Sequence, residues 1–261
     1  MNILDTIIAR KRIEVAERKM LTPVSVLETA THFKMPTHSL RSSLLDENKT
    51  GIIAEYKRKS PSKGIINDQA SVDEVTAAYA RHGASGISVL TDTDFFGGNL
   101  NDLQAAAKLT VPLLRKDFMI DEYQLVEARA HGASVILLIA ACLSVPEVKT
   151  LASTARGLGL EVLLEIHNEE ELDHICDAVD LVGVNNRNLK TFSVDIETSL
   201  GLIHRIPREK PAVAESGISD VDTIVTLRRA GFKGFLIGEN FMKQSSPSIA
   251  FADFVNQLKA S

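Results

Sequence analysis

From Gly51 onward the sequence repeats one unit: a short run of Ile, Val and Leu, a turn, an amphipathic stretch, a glycine, and the next apolar run. The runs are Ile52–Lys57, Gly86–Leu90, Pro112–Lys116, Val135–Ile139, Glu161–Glu165, Leu181–Asn185, Ala212–Glu215 and Gly234–Ile237. Runs that are apolar throughout suit parallel strands covered on both faces. Val72–His82, Glu122–His131, Val145–Leu158, Asn168–Ala178 and Val221–Ala230 read as helices between them. The joints into the next strand resemble one another: Arg81-His82-Gly83-Ala84-Ser85, Ala130-His131-Gly132-Ala133-Ser134 and Arg229-Ala230-Gly231-Phe232-Lys233. A glycine there ends a helix in the left-handed conformation. Strands alternating with helices imply βαβ units with right-handed crossovers. Eight units over about 200 residues predict an α/β fold, a single (β/α)8 barrel of the TIM type. An open doubly wound sheet would want a G-x-G-x-x-G loop after its first strand. The turn there reads Lys59-Ser60-Pro61-Ser62-Lys63-Gly64 instead.

The start of the chain departs from the repeat. Ile3, Leu4, Ile7 and Ile8 recur at helical spacing, and a charged stretch follows through Lys19. Thr22-Pro23 interrupts it, Val24 to Phe33 reads as a second short helix, and Pro36 to Asn48 as loop with a helical piece at Leu40–Leu45. Residues 1–48 are therefore expected to form an N-terminal helical extension, and residues 49–261 the barrel catalytic domain.

Composition narrows the partners. The chain carries 29 Lys and Arg against 34 Asp and Glu, a net charge of −5. It has no Trp and only 5% aromatics. A nucleic-acid binder would show a basic face and stacking platforms. No window approaches about 18 continuous apolar residues, so no membrane partner is expected. Met1 to Lys19 lacks an uninterrupted apolar core for a secretory signal, and Asp5, Glu14 and Glu17 argue against a transit peptide. Cys142 and Cys176 supply neither a disulfide framework nor a zinc site. They read as buried thiols of a reduced, cytoplasmic protein.

Active sites of such barrels lie at the C-terminal ends of the strands. Here those ends read Glu55-Tyr56-Lys57, Arg115-Lys116-Asp117-Phe118, Glu165, Asn185-Asn186-Arg187-Asn188, Glu215-Ser216-Gly217 and Gly238-Glu239-Asn240. Glu55 and Lys57 are two apart, so both can point inward. A structural ion pair would account for one couple, but charges on several strands at one end are expensive to bury without a task. Ser216-Gly217-Ile218-Ser219 precedes a helix near Asp220, and Ile237-Gly238-Glu239-Asn240 precedes a short one. Loops after the last two strands, with helix N-termini, form the usual barrel phosphate site. Lys57 and Ser60 stand ready beside it from strand one. No metal cluster is visible, and His167, the one histidine near the site, reads as a bystander. Lys, Glu, Asn and Arg in this setting suit cofactor-free acid–base chemistry on a phosphorylated anion.

Segments along the whole chain carry a family resemblance. Ile53-Ala54-Glu55-Tyr56-Lys57-Arg58-Lys59-Ser60-Pro61-Ser62-Lys63-Gly64 resembles the strand-one motif of the indole-3-glycerol phosphate synthases. Ser88-Val89-Leu90-Thr91-Asp92 with Phe95-Phe96-Gly97-Gly98, and Leu114-Arg115-Lys116-Asp117-Phe118, support it. Glu165-Ile166-His167, Gly183-Val184-Asn185-Asn186-Arg187-Asn188-Leu189, Ala214-Glu215-Ser216-Gly217-Ile218 and Leu236-Ile237-Gly238-Glu239 follow in family order.

The resemblance implies a decarboxylating lyase of tryptophan biosynthesis. Its reaction closes 1-(2-carboxyphenylamino)-1-deoxyribulose 5-phosphate to indole-3-glycerol phosphate, carbon dioxide and water. It implies Lys116 as general acid, within reach of Glu55 and Glu165, and Glu165 as partner acid/base for dehydration. Glu55 and Asn185 resemble groups that position Lys116 and the ribulose hydroxyls. Lys57 resembles a contact to the anthranilate carboxylate or a second donor, with Arg187 assisting. Phe118 resembles an apolar wall for the ring, and Glu215 a polar rim contact. Ser60, Ser216, Gly217, Gly238 and Glu239 resemble the phosphate cradle. Glu239-Asn240 departs from the pattern, being bulky where small residues are common. No cofactor or metal is implied. A monomer or weak homo-oligomer is expected, with other tryptophan-pathway enzymes as potential partners. Two alternatives share the phosphate loops: phosphoribosylanthranilate isomerase, which would use a Cys/Asp pair, and a non-catalytic phosphosugar-binding barrel.

Overall fold

Because every strand is covered on both faces, its alternate residues must serve two different cores, and that division positions everything else. The computed structural model describes residues 3–189 and 191–261; Met1, Asn2 and Lys190, which fall in the expected extension and barrel, lie outside them. Among the described residues, eight parallel strands close a barrel in chain order. They are β1 (Ile52–Tyr56), β2 (Gly86–Leu90), β3 (Leu113–Lys116), β4 (Val135–Ile139), β5 (Glu161–Ile166), β6 (Leu181–Asn185), β7 (Ala212–Glu215) and β8 (Gly234–Ile237). β1 pairs with β8 in parallel register, Ile53 opposite Leu236, which completes the ring.

One parity of each strand faces the surrounding helices: Ile52, Ala54, Tyr56, Ile87, Val89, Val162 and Leu164 pack with Tyr79, Leu125, Leu151, Phe241 and Phe251. The other parity fills the barrel: Ile53, Leu114, Val135, Leu137, Leu163, Leu181, Val213 and Leu236. Glu55, Lys116, Glu165, Asn185 and Glu215 follow that inward parity by two or four residues, so each sits at the inward end of its strand.

The opposite end is stoppered. The helix Leu40–Leu45 sends Leu40 and Leu44 into the interior cluster. Glu161, at the start of β5, accepts hydrogen bonds from the amides of Leu40 at 2.8 Å and Arg41 at 3.0 Å. That satisfies the unpaired N–H groups of a helix start. Gly86 and Gly234 make room: a Cβ there would lie 2.6 Å from Leu40 Cδ1 and 2.9 Å from Leu44 Cδ1.

The first helix, Ile3–Leu21, lies against the other mouth and buries Ile7, Lys11 and Val15. Lys11 is 1% exposed, with Nζ 2.8 Å from Glu14, 2.9 Å from Asp92 and 2.8 Å from Asp117. Asp117 also pairs with Arg115 at 3.1 Å, and Arg115 with Glu127 at 2.8 Å. Burial opposes charge on Asp117, but Lys11 and Arg115 outweigh it and hold its carboxyl well below the ordinary range. Asp92 accepts from the amide of Phe95 and Asp117 from that of Phe118, both at 2.8 Å. The extension is thereby pinned to the loops that follow β2 and β3.

Two expected helices come out differently. Val24 to Phe33 divides into Val24–Leu27 and a 3-10 turn, Thr31–Lys34. Asn168–Ala178 is only a 3-10 turn, Glu169–His174, because Glu171 folds back to accept from the His167 amide and Ile175 is extended. The joint glycines adopt the left-handed conformation, Gly83 at φ 93° and Gly132 at φ 87°.

Removing a buried cation leaves its carboxylates uncompensated, which costs about 3–5 kcal/mol. Lys11→Met should lower unfolding stability by that order at neutral pH, measured by urea denaturation. Arg10→Ala, which breaks an exposed pair with Asp94, should cost far less. Equal effects of the two substitutions would show that Lys11 is not a pin.

Candidate active site

At the mouth formed by the strand C-termini lies a cavity of about 600 Å³. That volume falls within the range of small-molecule sites. Its floor is charged. Lys116 Nζ lies 2.9 Å from Glu165 Oε2 and 3.5 Å from Glu215 Oε2. Asn185 Nδ2 donates to Glu165 Oε1 at 3.0 Å, and its own Oδ1 accepts from the Arg187 amide at 3.0 Å. Lys57 Nζ lies 2.7 Å from Glu55 Oε1. The direct partners of Lys116 are thus Glu165 and Glu215, while Glu55 takes Lys57 as its ion-pair partner. Glu215, expected as a rim contact, is buried in the floor.

Two glycines leave space for these carboxylates. A Cβ at Gly183 would fall on Glu215 Oε1, and one at Gly238 would lie 2.6 Å from Glu55 Oε1. Gly238 therefore serves the acid pair of β1 as well as the loop after β8. Gly238→Val would disturb Glu55 too, so it is not a clean probe of anion binding.

The charges set one another. Burial pulls the Lys116 ammonium down, but Glu165, Glu215 and Glu55 outweigh it and hold it above the ordinary lysine range. An ordinary alkaline limb from Lys116 is therefore not expected. Burial pushes Glu165 up, but Lys116, His167 and Asn185 win and keep it well below the usual carboxylate range. For Glu215 burial and the neighbouring Glu165 prevail over Lys116, raising it to about 8. One ammonium between two buried carboxyls leaves the second one protonated at neutral pH.

One wall is apolar. Phe96 and Phe118 face it with ring centroids 6.1 Å apart, joined by Leu137, Ile139 and Leu236, and by Ile3, Leu4 and Ile7 of the first helix. The far side is polar. Ser60, Lys63, Ser216, Gly217, Ser219 and Lys243 line it. Ser216 and Gly217 are both left-handed, at φ 66° and 77°. Such a conformation is unfavourable for serine, and Asn186 Nδ2 holds it by donating to the Ser216 carbonyl at 3.0 Å. Glu239 begins the one-turn helix Glu239–Met242 and stands 3.8 Å from Arg187. Asn240 donates to the Ser219 carbonyl at 3.1 Å, tying the loops after β7 and β8 together.

The structure brings all the sequence-predicted site residues to this one mouth. Sequence reasoning missed three features. Ile3, Leu4 and Ile7 had shown only a helical period, and Lys63 and Lys243 were not among the expected site residues. His167, read as a bystander, has Nε2 3.2 Å from Glu165 Oε1 and Nδ1 3.2 Å from Glu171 Oε2. Among the described residues no group of three His, Cys, Asp or Glu is arranged to hold a metal ion.

A carboxyl raised in the folded state adds stability that is full below the ordinary glutamate value. That stability is lost as the pH climbs toward the raised one. For Glu215 the loss should run up to about pH 8. Infrared difference spectra should show a protonated carboxyl that vanishes through the same point and is missing from Glu215→Gln. A wild-type spectrum without that band at neutral pH would mean that Glu215 is already ionised.

The profile of the family described as Indole-3-glycerol phosphate synthase matches residues 4–254. A Bacteroides thetaiotaomicron protein named indole-3-glycerol phosphate synthase is 46% identical over 259 residues, 99% of each chain. One of the same name from Chromobacterium violaceum is 43% identical, covering 96% of this chain and 97% of its own. Among solved structures, a mutant tryptophan synthase alpha-subunit from Pyrococcus furiosus superposes with a TM-score of 0.62 at 16% identity. It covers 82% of this chain and 99% of its own, a likeness of fold alone.

Proposed function

The chain belongs to the indole-3-glycerol phosphate synthase family, and from that premise we propose how its own residues divide the reaction. The activity is the ring closure, with loss of carbon dioxide and water, of 1-(2-carboxyphenylamino)-1-deoxyribulose 5-phosphate. The observation that carries the residue assignment is the Lys116 ammonium, held 2.9 Å from Glu165 on the cavity floor.

The phosphate goes to the loops after β7 and β8. There the backbone of Ser216, Gly217, Gly238 and Glu239, with Ser60, offers N–H and hydroxyl donors. The aromatic ring lies along Phe118 and Phe96, and its carboxylate meets Lys57 and Arg187. Ring closure develops negative charge on the former carbonyl oxygen, so an ammonium facing it lowers the barrier. Lys116 supplies that charge and the proton. Departure of carbon dioxide restores aromaticity. Dehydration then takes one proton from carbon and gives one to the leaving hydroxyl, with Glu165 as the base. Asn185 and Glu55 fix the acid pair and the ribulose hydroxyls. Glu215, carrying its proton, adds no further negative charge beside the acid.

The family match sets aside the isomerase and the non-catalytic alternatives. The site agrees: burial, then Glu165 and Glu171, push the Cys142 thiol up to about 12, too high for a thiolate base at neutral pH. We further take residues 1–48 as an extension that completes the mouth of the 49–261 catalytic domain, since Ile3, Leu4 and Ile7 line the cavity. The proposed setting is cytoplasmic, as a monomer or weak homo-oligomer alongside other tryptophan-pathway enzymes. Among the described residues no helix is long and apolar enough to cross a membrane.

Incubation with the carboxyphenylamino substrate, followed by indole fluorescence, tests the activity. Lys116→Met should lower kcat by roughly 10³ or more, since loss of a general acid costs about 10²–10⁴. Glu165→Gln should also lower kcat, and the double variant should be less than additive because the pair acts as a unit. A Lys116→Met enzyme retaining more than about a tenth of kcat would move the acid role to Lys57. Trimming residues 1–8, which removes the cavity-lining Ile3, Leu4 and Ile7 but spares Lys11 and the Leu40–Leu45 stopper, should raise KM; unchanged kinetics would make that turn of the extension incidental to the site.

A further inference from the structure

Each turnover consumes one proton. The substrate carboxylate leaves as neutral carbon dioxide, the former carbonyl oxygen needs two protons to depart as water, and only one proton comes back from carbon. Lys116, the acid beside that oxygen, must therefore be recharged between two donations. Its side chain is 16% exposed and faces the cavity, so a bound substrate covers its access to solvent. The second proton has to come from a group already in the floor.

We propose that Glu215 stores that proton and passes it to Lys116 between the two donations. Glu215 Oε2 lies 3.5 Å from Lys116 Nζ, and the Glu215 side chain is only 2% exposed, so it stays beside the amine while substrate is bound. The donors around it are committed elsewhere. Asn185, opposite Glu215 in strand register, gives its amide to Glu165 at 3.0 Å, and Lys57 lies 2.7 Å from Glu55. The His167 imidazole faces Glu165 at 3.2 Å. Among the described residues Glu215 Oε1 has no hydrogen-bond partner. Three titratable groups face Glu215: Lys116 from β3, Glu165 from β5 and Glu55 from β1. Burial, joined by the two acids, outweighs the cation and raises the carboxyl to about 8, so the store is full at neutral pH.

The steps balance. As the ring carbon bonds to the carbonyl carbon, the carbonyl π pair moves onto oxygen and takes one proton from the Lys116 ammonium, leaving a neutral amine. The Glu215 carboxyl gives its proton to that amine and becomes a carboxylate beside a restored ammonium. The transfer runs this way because the floor holds the Lys116 ammonium above the ordinary lysine range, far above the Glu215 carboxyl. Carbon dioxide departs and leaves its bonding pair on the ring. Lys116 then donates again, to the hydroxyl that leaves as water with the carbon–oxygen pair. Glu165 takes the proton from carbon, and that carbon–hydrogen pair enters the indole double bond. Glu165 returns its proton to the Lys116 amine, 2.9 Å away. Only Glu215 is then short of a proton, and it takes one from solvent as product leaves.

This inference rests on the proposed reaction, and the test separates the two: a wild type that forms neither carbon dioxide nor indole overturns the reaction itself. Glu215→Gln matches the protonated carboxyl in shape and charge but has no proton to give. In rapid-quench single turnovers the variant should release carbon dioxide at close to the wild-type rate, while indole follows at least about ten-fold more slowly. In wild type, indole formation but not carbon dioxide release should slow as rising pH ionises Glu215, and that limb should be missing from the variant. A pH-indicator dye in weak buffer adds a readout that needs no substitution and decides the matter if Glu215→Gln does not fold. Wild type should form indole before the medium loses its proton. Proton uptake that precedes indole in wild type overturns the store. So does a folded variant in which carbon dioxide and indole are slowed together, or neither is slowed; Glu215 is then a packing residue.

Discussion

A single ammonium between two buried carboxyls governs this mouth. Lys116 stands 2.9 Å from Glu165 and 3.5 Å from Glu215, and both acids are almost wholly removed from water. For Glu215, burial and the nearby charge of Glu165 together outweigh the shared ammonium. The asymmetry of their surroundings decides which acid keeps a proton. Glu165 has Asn185 as a donor and His167 beside it, whereas Glu215 Oε1 has no hydrogen-bond partner among the described residues. Two otherwise similar residues thus enter the site in different protonation states. Neighbouring staves make the crowding possible, since Gly183 on β6 leaves the space that Glu215 occupies.

The extension does more than cover the barrel. Lys11 reaches across to Asp92 and Asp117, and each of these caps the loop carrying one of the wall aromatics, Phe96 and Phe118. Asp117 is also the residue after Lys116. A turn earlier on the same helix, Ile7 lines the cavity. At the other end, Leu40 and Leu44 stopper the barrel under glycines on β2 and β8. The segment before β1 therefore closes both ends: one by apolar filling, the other by a buried ion cluster.

The barrel was legible because a two-sided parallel strand forces an unbroken apolar run, and eight such runs with glycine joints leave few topologies. The site was legible because period-two alternation carries Glu55, Glu165 and Glu215 inward at the same end. What stayed hidden depends on distance along the chain. Lys11 sits in a charged helical stretch and looks solvated; only folding brings Asp92 and Asp117 to it. His167 looks incidental until Glu171 turns back, and the acidic run Glu169-Glu170-Glu171 gives no hint that one of its members faces inward. The protonated state of Glu215 has no sequence signal at all, because it follows from competition for one cation.

These charges also explain how one cavity serves a substrate that is anionic at both ends. With Glu215 protonated, Glu55 and Glu165 balance Lys57 and Lys116, so the floor is close to neutral before any neighbouring imidazole is counted. A neutral floor exerts little net pull on either end of the substrate. Anion binding must then fall to the edges. One edge is the pair of loops after β7 and β8, tied together by Asn240 and Ser219 and built to present backbone donors. The other is Arg187, whose contact with Glu239 is long, at 3.8 Å, and therefore easily exchanged for a substrate carboxylate. Recognition at the edges leaves Lys116 and Glu165 paired to each other in the resting enzyme. Their interaction is strongest while both are charged and disappears once the proton has moved, so the pair is set for transfer rather than for grip.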